Sequence, residues 1–119
     1  MIYNSQTIVE SISSAGVRKI SIKKKKVDNK GAVLKNVEIS SSKRKAAAEW
    51  AYSRVGKDGY STNFVTNRKT SYYGNKNCSK LVWSAYKLKA KIDLDDDGGT
   101  GVYPRDVRDA KETKFVANI

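Results

Sequence analysis

Histidine is missing from this 119-residue sequence altogether, and cysteine, proline and methionine occur once each. Without histidine this chain cannot assemble a Cys-His or Ser-His catalytic pair by itself, and one thiol alone is too few ligands for a structural zinc site. No cofactor is expected. A single cysteine also excludes an internal disulfide framework, so Cys78 has to be explained as a free thiol. No apolar run approaches the roughly 18 residues of a membrane span. The opening stretch, MIYNSQTIVES, lacks the basic n-region and unbroken apolar h-region of a secretory signal. These observations leave localisation open, with the cytoplasm as the default.

What is present fits one globular domain over residues 1–119. The hydrophobic fraction of 39% is enough for a single core, and the charged fraction of 30% suits a solvated surface. Lysine and arginine outnumber acidic residues 24 to 12, a formal +12 that attracts polyanions whatever the fold. An anionic polymer, membrane surface or nucleic acid is therefore an expected class of partner. The runs at Lys23 to Lys26 and Lys43 to Lys45 lack the aromatic interleaving that would make nucleic-acid binding specific, and read first as solvated basic faces.

Periodicity predicts strands at Thr7 to Ile12, Val17 to Lys23 and Val33 to Ile39, punctuated by Gly16 and by Asp28-Asn29-Lys30-Gly31, with a meander as the simplest topology. At Ser40-Ser41-Ser42 the period changes. Ala47, Trp50, Ala51 and Val55 then fall on one helical face, with a serine N-cap before them and Gly56 after them. A polar stretch from Lys57 to Asn77 follows, too long for a plain connection and of the kind that wraps a site. A second helix is expected from about Cys78 to Lys89, capped by Asn75 or Asn77, with Leu81, Val82, Ala85, Tyr86 and Leu88 buried. Trp50 and Trp83 read as core. Beyond the acidic turn Asp93 to Gly99, Lys114 to Ala117 is a candidate strand.

Cys78 thus falls in the first turn of a helix, beside unpaired backbone N–H groups that stabilise a thiolate, which is where a nucleophile is wanted. Burial as a plain apolar side chain is the competing reading. Asp93, Asp95, Asp97 and Gly98 follow the start of a calcium-binding loop, but its twelfth place is Pro104 rather than a carboxylate, which favours a solvated turn.

The run Asn77-Cys78-Ser79-Lys80-Leu81-Val82-Trp83-Ser84-Ala85-Tyr86 resembles the nucleophile helix of circularly permuted members of the NlpC/P60 papain-like superfamily, the YiiX/YycO-like group. Lys45 to Ala51, Val55-Gly56-Lys57, Gly59 to Phe64, Asp93 to Asp95, Gly98-Gly99 and Val102 to Asp106 extend that likeness from about Thr7 onward. The resemblance implies an α+β papain-like fold, an antiparallel sheet packed against two main helices, of which this chain corresponds to the C-terminal two-thirds. It further implies Cys78 as nucleophile, Glu10 in Ile8-Val9-Glu10-Ser11 as the third triad position, and Tyr60 on the oxyanion side. Cell-wall peptide or lipid-like acyl compounds are the implied substrates.

The same resemblance places the catalytic histidine on a strand before Glu10, and no such strand is present. Lysine is the only other plentiful base, and the sequence gives no sign of a depressed pKa at Lys80. Three explanations follow: a fragment or mis-started product, an inactive relative kept for binding, or a histidine strand from a second chain. A missing strand exposes a sheet edge, so a homodimer through that edge is also expected.

Overall fold

The computed structural model describes residues 1–25, 33–67, 71–95 and 98–118. Strand β1 (Thr7–Ile12) and strand β2 (Gly16–Ser21) form an antiparallel hairpin in which Thr7 faces Ser21 and Ile12 faces Gly16. Alternation along β1 buries Val9 and Ser11 and turns Glu10 to the other face. Gly16 has φ +68°, and a Cβ there would lie 2.5 Å from the Asp58 carbonyl oxygen, so both backbone and packing select glycine. On the other edge of β1, Met1 and Val9 exchange both backbone hydrogen bonds, at 2.9 and 2.8 Å.

The expected second strand ends sooner than Lys23. Its partner turns away at Asn4 to Gln6, and residues Ile22–Lys24 form one turn of 3-10 helix instead. Strand β3 (Val33–Val37) also departs from expectation: it pairs antiparallel with strand β4 (Thr113–Asn118), not with β2. Among the described residues, the three-strand meander is therefore replaced by two separate two-stranded antiparallel sheets. Alternation fixes which face of a strand is buried but not which strand it pairs with. The proposed turn at Asp28 to Gly31 lies outside the described residues.

Helix α1 (Ser41–Ser53) begins where Ser40 Oγ accepts from Lys43 N, and it buries Ala47, Ala48, Trp50 and Ala51. Gly56 takes the left-handed conformation, φ +75°, and its N–H reaches Val17 O. Helix α2 (Cys78–Ala90) packs on α1, and alanines on both helices allow close approach. Leu81 and Ala85 are fully buried and Tyr86 nearly so, alongside Val9, Val17 and Leu94. Trp50 and Trp83 are both buried, as expected of core residues. A short helix α3 (Pro104–Arg108), which periodicity did not reveal, starts at the lone proline, with Asp106 accepting from Tyr103 N.

Between the Met1 edge of β1 and the β3–β4 pair lies an open groove of about 920 Å³. Met1, Ile8, Leu34, Val37, Tyr86 and Val107 are on its apolar walls, and Lys35, Arg44, Lys45 and Arg108 also line it.

Candidate active site

Cys78 is the first residue of α2, and its thiol is exposed while both chain neighbours are buried, Asn77 at 0% and Ser79 at 3% exposure. Of the two asparagines open as caps, Asn77 is the one used: its Oδ1 accepts from Lys80 N at 3.1 Å. Cys78 therefore lies in the first turn, at the positive end of the α2 dipole.

Two buried polar assemblies fix the approach to Cys78. In the first, Lys76 is fully buried with its Nζ 2.6 Å from Asp58 Oδ2 and 2.9 Å from Gly74 O. Arg54 grips the same carboxylate with two bonds of 2.8 and 2.7 Å. Burial pushes the Asp58 carboxyl up, but hydrogen bonds from Arg54 and Lys76, with their charges, outweigh it and hold the group below its ordinary range. Burial lowers Lys76, and the Asp58 contact offsets only part of that. The Lys76 carbonyl accepts from Ser11 Oγ at 2.6 Å and from Ser61 N at 3.2 Å, so β1 and the residue 59–61 segment both hold the strand that leads into the thiol.

The second assembly joins the loop before α2 to the segment after it. Asn67 Nδ2 donates to Asn77 Oδ1 at 3.0 Å and to Val102 O at 2.9 Å, while Asn67 Oδ1 accepts from Val102 N. Asn77 Nδ2 donates to Asn63 O, and Ser79 Oγ donates to Val102 O. Close by, a Cβ on Gly101 would collide with the Phe64 carbonyl, so the two segments touch backbone to backbone.

Tyr60 pairs with Lys76 through a parallel bridge, which brings it beside the residues that lead into Cys78, and it is half-buried. Glu10 is placed differently. It lies on the face of β1 opposite Ser11, with Arg18 Nε and Nη2 at 3.0 and 2.9 Å from Oε2 and Lys25 Nζ at 2.6 Å from Oε1. Burial raises the Glu10 carboxyl, but these bonds and charges outweigh it and hold the group low. Both carboxylate oxygens are therefore occupied by cations. Burial lowers the pKa of the Met1 amino group, and the charge of Glu10 offsets part of that.

Lys80 is a correction to the sequence reading. Burial, with the charge of Lys76 adding to it, lowers its ammonium to about 8, and it lies 4.6 Å from the Trp83 ring centroid and 5.4 Å from that of Tyr72. Two residues of helix turn it about 200° from Cys78, however, so it is not placed to take the thiol proton. Lys23 and Lys24 are exposed, as a solvated basic face requires, whereas Lys25 is committed to Glu10 and Lys26 lies outside the described residues. The calcium-loop candidate falls partly on Asp96 and Asp97, also outside the described residues; Asp93 accepts from Trp83 Nε1 at 2.8 Å. Among the described residues no cluster of metal-ligating side chains occurs.

The sequence reading missed Asp58, Lys76, Asn67 and Ser11. Only Ser11 left a trace, a polar residue at an inward position of β1; the others lie in a loop whose contacts obey no period.

Comparison with known proteins agrees with this geometry. Residues 1–115 match the model of a family described as permuted papain-like amidase enzyme, YaeF/YiiX, C92 family. A protein of Bacillus subtilis (strain 168), named uncharacterized protein YycO, is 51% identical over 112 residues, which is 94% of this chain and 45% of that protein. The chain therefore spans less than half the length of this curated relative. No solved structure matches significantly. An exposed cysteine opening a capped helix, preceded by a Tyr60-bearing segment and followed by the Asp106 turn, over a match that covers nearly the whole sequence, makes this chain a member of the permuted papain-like amidase family.

Proposed function

We propose that this chain is the cysteine-bearing part of an acyl hydrolase acting on an amide or ester of a peptide or lipid-like compound, and that the base comes from a segment preceding Met1 in a longer protein. The observation that carries this reading is the exposed Cys78 thiol at the start of α2, a helix that packs against β1, whose outer edge is paired with Met1. Because Met1 and Val9 already pair, a strand continued backward from Met1 runs along β1 and delivers a side chain to that place. The apolar groove supports the same reading, since Met1 lies on its wall and a preceding strand would enter it.

In the reaction, the base removes the Cys78 proton, sulfur attacks the carbonyl carbon, and the C–N or C–O bond breaks as the same base protonates the leaving group. Water then cleaves the acyl-sulfur bond and restores the thiol. The Tyr60 hydroxyl steadies the oxyanion. An incoming base competes with Arg18 and Lys25 for Glu10, the proposed third residue. General acid–base help of this kind contributes roughly 10²–10⁴-fold, so this chain without a base is proposed to be inactive.

A second reading is favoured by the formal +12 charge: a non-catalytic module that binds an anionic polymer, a membrane surface or nucleic acid, alone or as a homodimer through a sheet edge. One experiment separates the two. The chain is joined to the part of the Bacillus subtilis relative that lies outside the matched region, then assayed on model acyl amides and esters beside its Cys78→Ala variant. Hydrolysis confined to the extended protein and lost with Cys78 supports the first reading. An inactive extended protein whose Cys78 resists iodoacetamide until unfolding, together with salt-sensitive binding to polyanions, would falsify it and leave the second.

A further inference from the structure

Asn77 can cap α2 in only one of its two carboxamide orientations. Lys80 N needs the oxygen, Oδ1, and a flipped side chain would turn an N–H toward it. Two contacts select the capping orientation: Asn67 Nδ2 donates to Asn77 Oδ1 at 3.0 Å, and Asn63 O accepts from Asn77 Nδ2 at 2.9 Å. Asn67 is itself oriented by Val102, donating to its carbonyl and accepting from its N–H. Asn67, Asn77, Ser79 and Val102 are all at most 3% exposed, so no water competes for these bonds. A chain of hydrogen bonds therefore runs from the Val102 backbone through Asn67 and Asn77 to the first turn of the helix that carries the thiol.

From this we infer that Asn67 is a positioning residue for Cys78: it holds the Asn77 carboxamide in the capping orientation, and thereby sets the N–H groups and the electrostatic environment that the sulfur sees. The inference rests on reading Cys78 as the nucleophile. Asn67→Asp keeps the side-chain shape and still accepts from Val102 N, but it replaces the donor toward Asn77 with an anionic oxygen. Asn77 Oδ1 and the Val102 carbonyl then both face an acceptor instead of a donor, the hold on the Asn77 carboxamide weakens, and a negative charge is added beside the first turn. Asn67→Ser removes the contact without adding charge.

The test is iodoacetamide alkylation of Cys78 at pH 6 and pH 9 in the whole chain and in both variants, with circular dichroism to verify the fold. The readout is the ratio of the rate at pH 6 to that at pH 9. It is expected to fall about fivefold in Asn67→Asp and about twofold to threefold in Asn67→Ser, the size expected for a lost cap and an altered helix-terminus field. A purely structural role lowers the unfolding midpoint and leaves the ratio alone. Folded variants with the wild-type ratio overturn the inference while leaving Cys78 as nucleophile. A wild-type thiol that is slow at both pH values overturns the nucleophile reading itself. Should Asn67→Asp not fold, Asn67→Ser alone decides.

Discussion

The two sides of α2 contrast. At its N-terminal end, the residues around the thiol are held by an assembly of ions and amides, the buried Asp58, Lys76, Asn67, Asn77 and Ser79 with the half-buried Arg54, closed around by the residue 59–67 and 101–103 segments. On the other side, Tyr86 and Val82 look into an apolar groove between two small sheets, with no described segment filling it. Buried polar groups are costly unless every partner is in place, so they specify one geometry; an apolar wall tolerates many neighbours and specifies little. The end proposed to carry the chemistry is built from the first kind of contact, and the side left open is built from the second.

The largest expected effect tests the polar end. Asp58→Ala leaves Lys76 charged and fully buried without its carboxylate, and is expected to cost about 3–5 kcal/mol by urea unfolding at pH 7. A loss below about 1 kcal/mol means that the ion cluster does not hold this end together.

Next is the alkaline behaviour of Lys80. Its folded pKa of about 8 lies below the ordinary 10.5, so the unfolded chain binds more protons between these values and stability rises as pH climbs from 8 to 10.5. The share due to Lys80 is expected to be about 3 kcal/mol and to be lost in Lys80→Met, leaving only the contribution of Lys76, whose pKa burial also lowers. A flat profile in the parent protein removes the claim that burial strains this ammonium.

Glu10 gives a smaller effect of opposite sign. Its carboxyl is held low, so its contribution is present above the ordinary 4.5 and is lost as pH falls through the lower folded value. Glu10→Gln is expected to cost about 1 kcal/mol at most at pH 7, because Arg18 and Lys25 are partly solvated, and nothing in strong acid. Parallel unfolding curves at pH 7 and pH 2 check this.

The smallest effect belongs to the groove. Val116 is 54% exposed, and Val116→Asp should change the stability of this chain by no more than about 0.5 kcal/mol. In the N-terminally extended protein the same substitution should cost more, because the proposed strand buries the wall. Equal effects in both proteins break the comparison between a finished end and an unfinished side.

The sequence by itself determined the local elements: β1 and α2 from alternation and from the stripe of Leu81, Ala85 and Tyr86, the cap at Asn77, and Cys78 at a helix start. These are legible because a strand or helix repeats its environment at a fixed interval, and a cap lies a few residues from what it caps. Tertiary structure alone decided that β3 pairs with β4, that Asp58 joins Lys76 across 18 residues, and that Val102 reaches Asn67 across 35. It also gave both Glu10 oxygens to Arg18 and Lys25 and buried Lys80 against two aromatic rings. Such contacts are single events between distant positions, fixed by how packed elements fill space, and no periodicity in the chain encodes them.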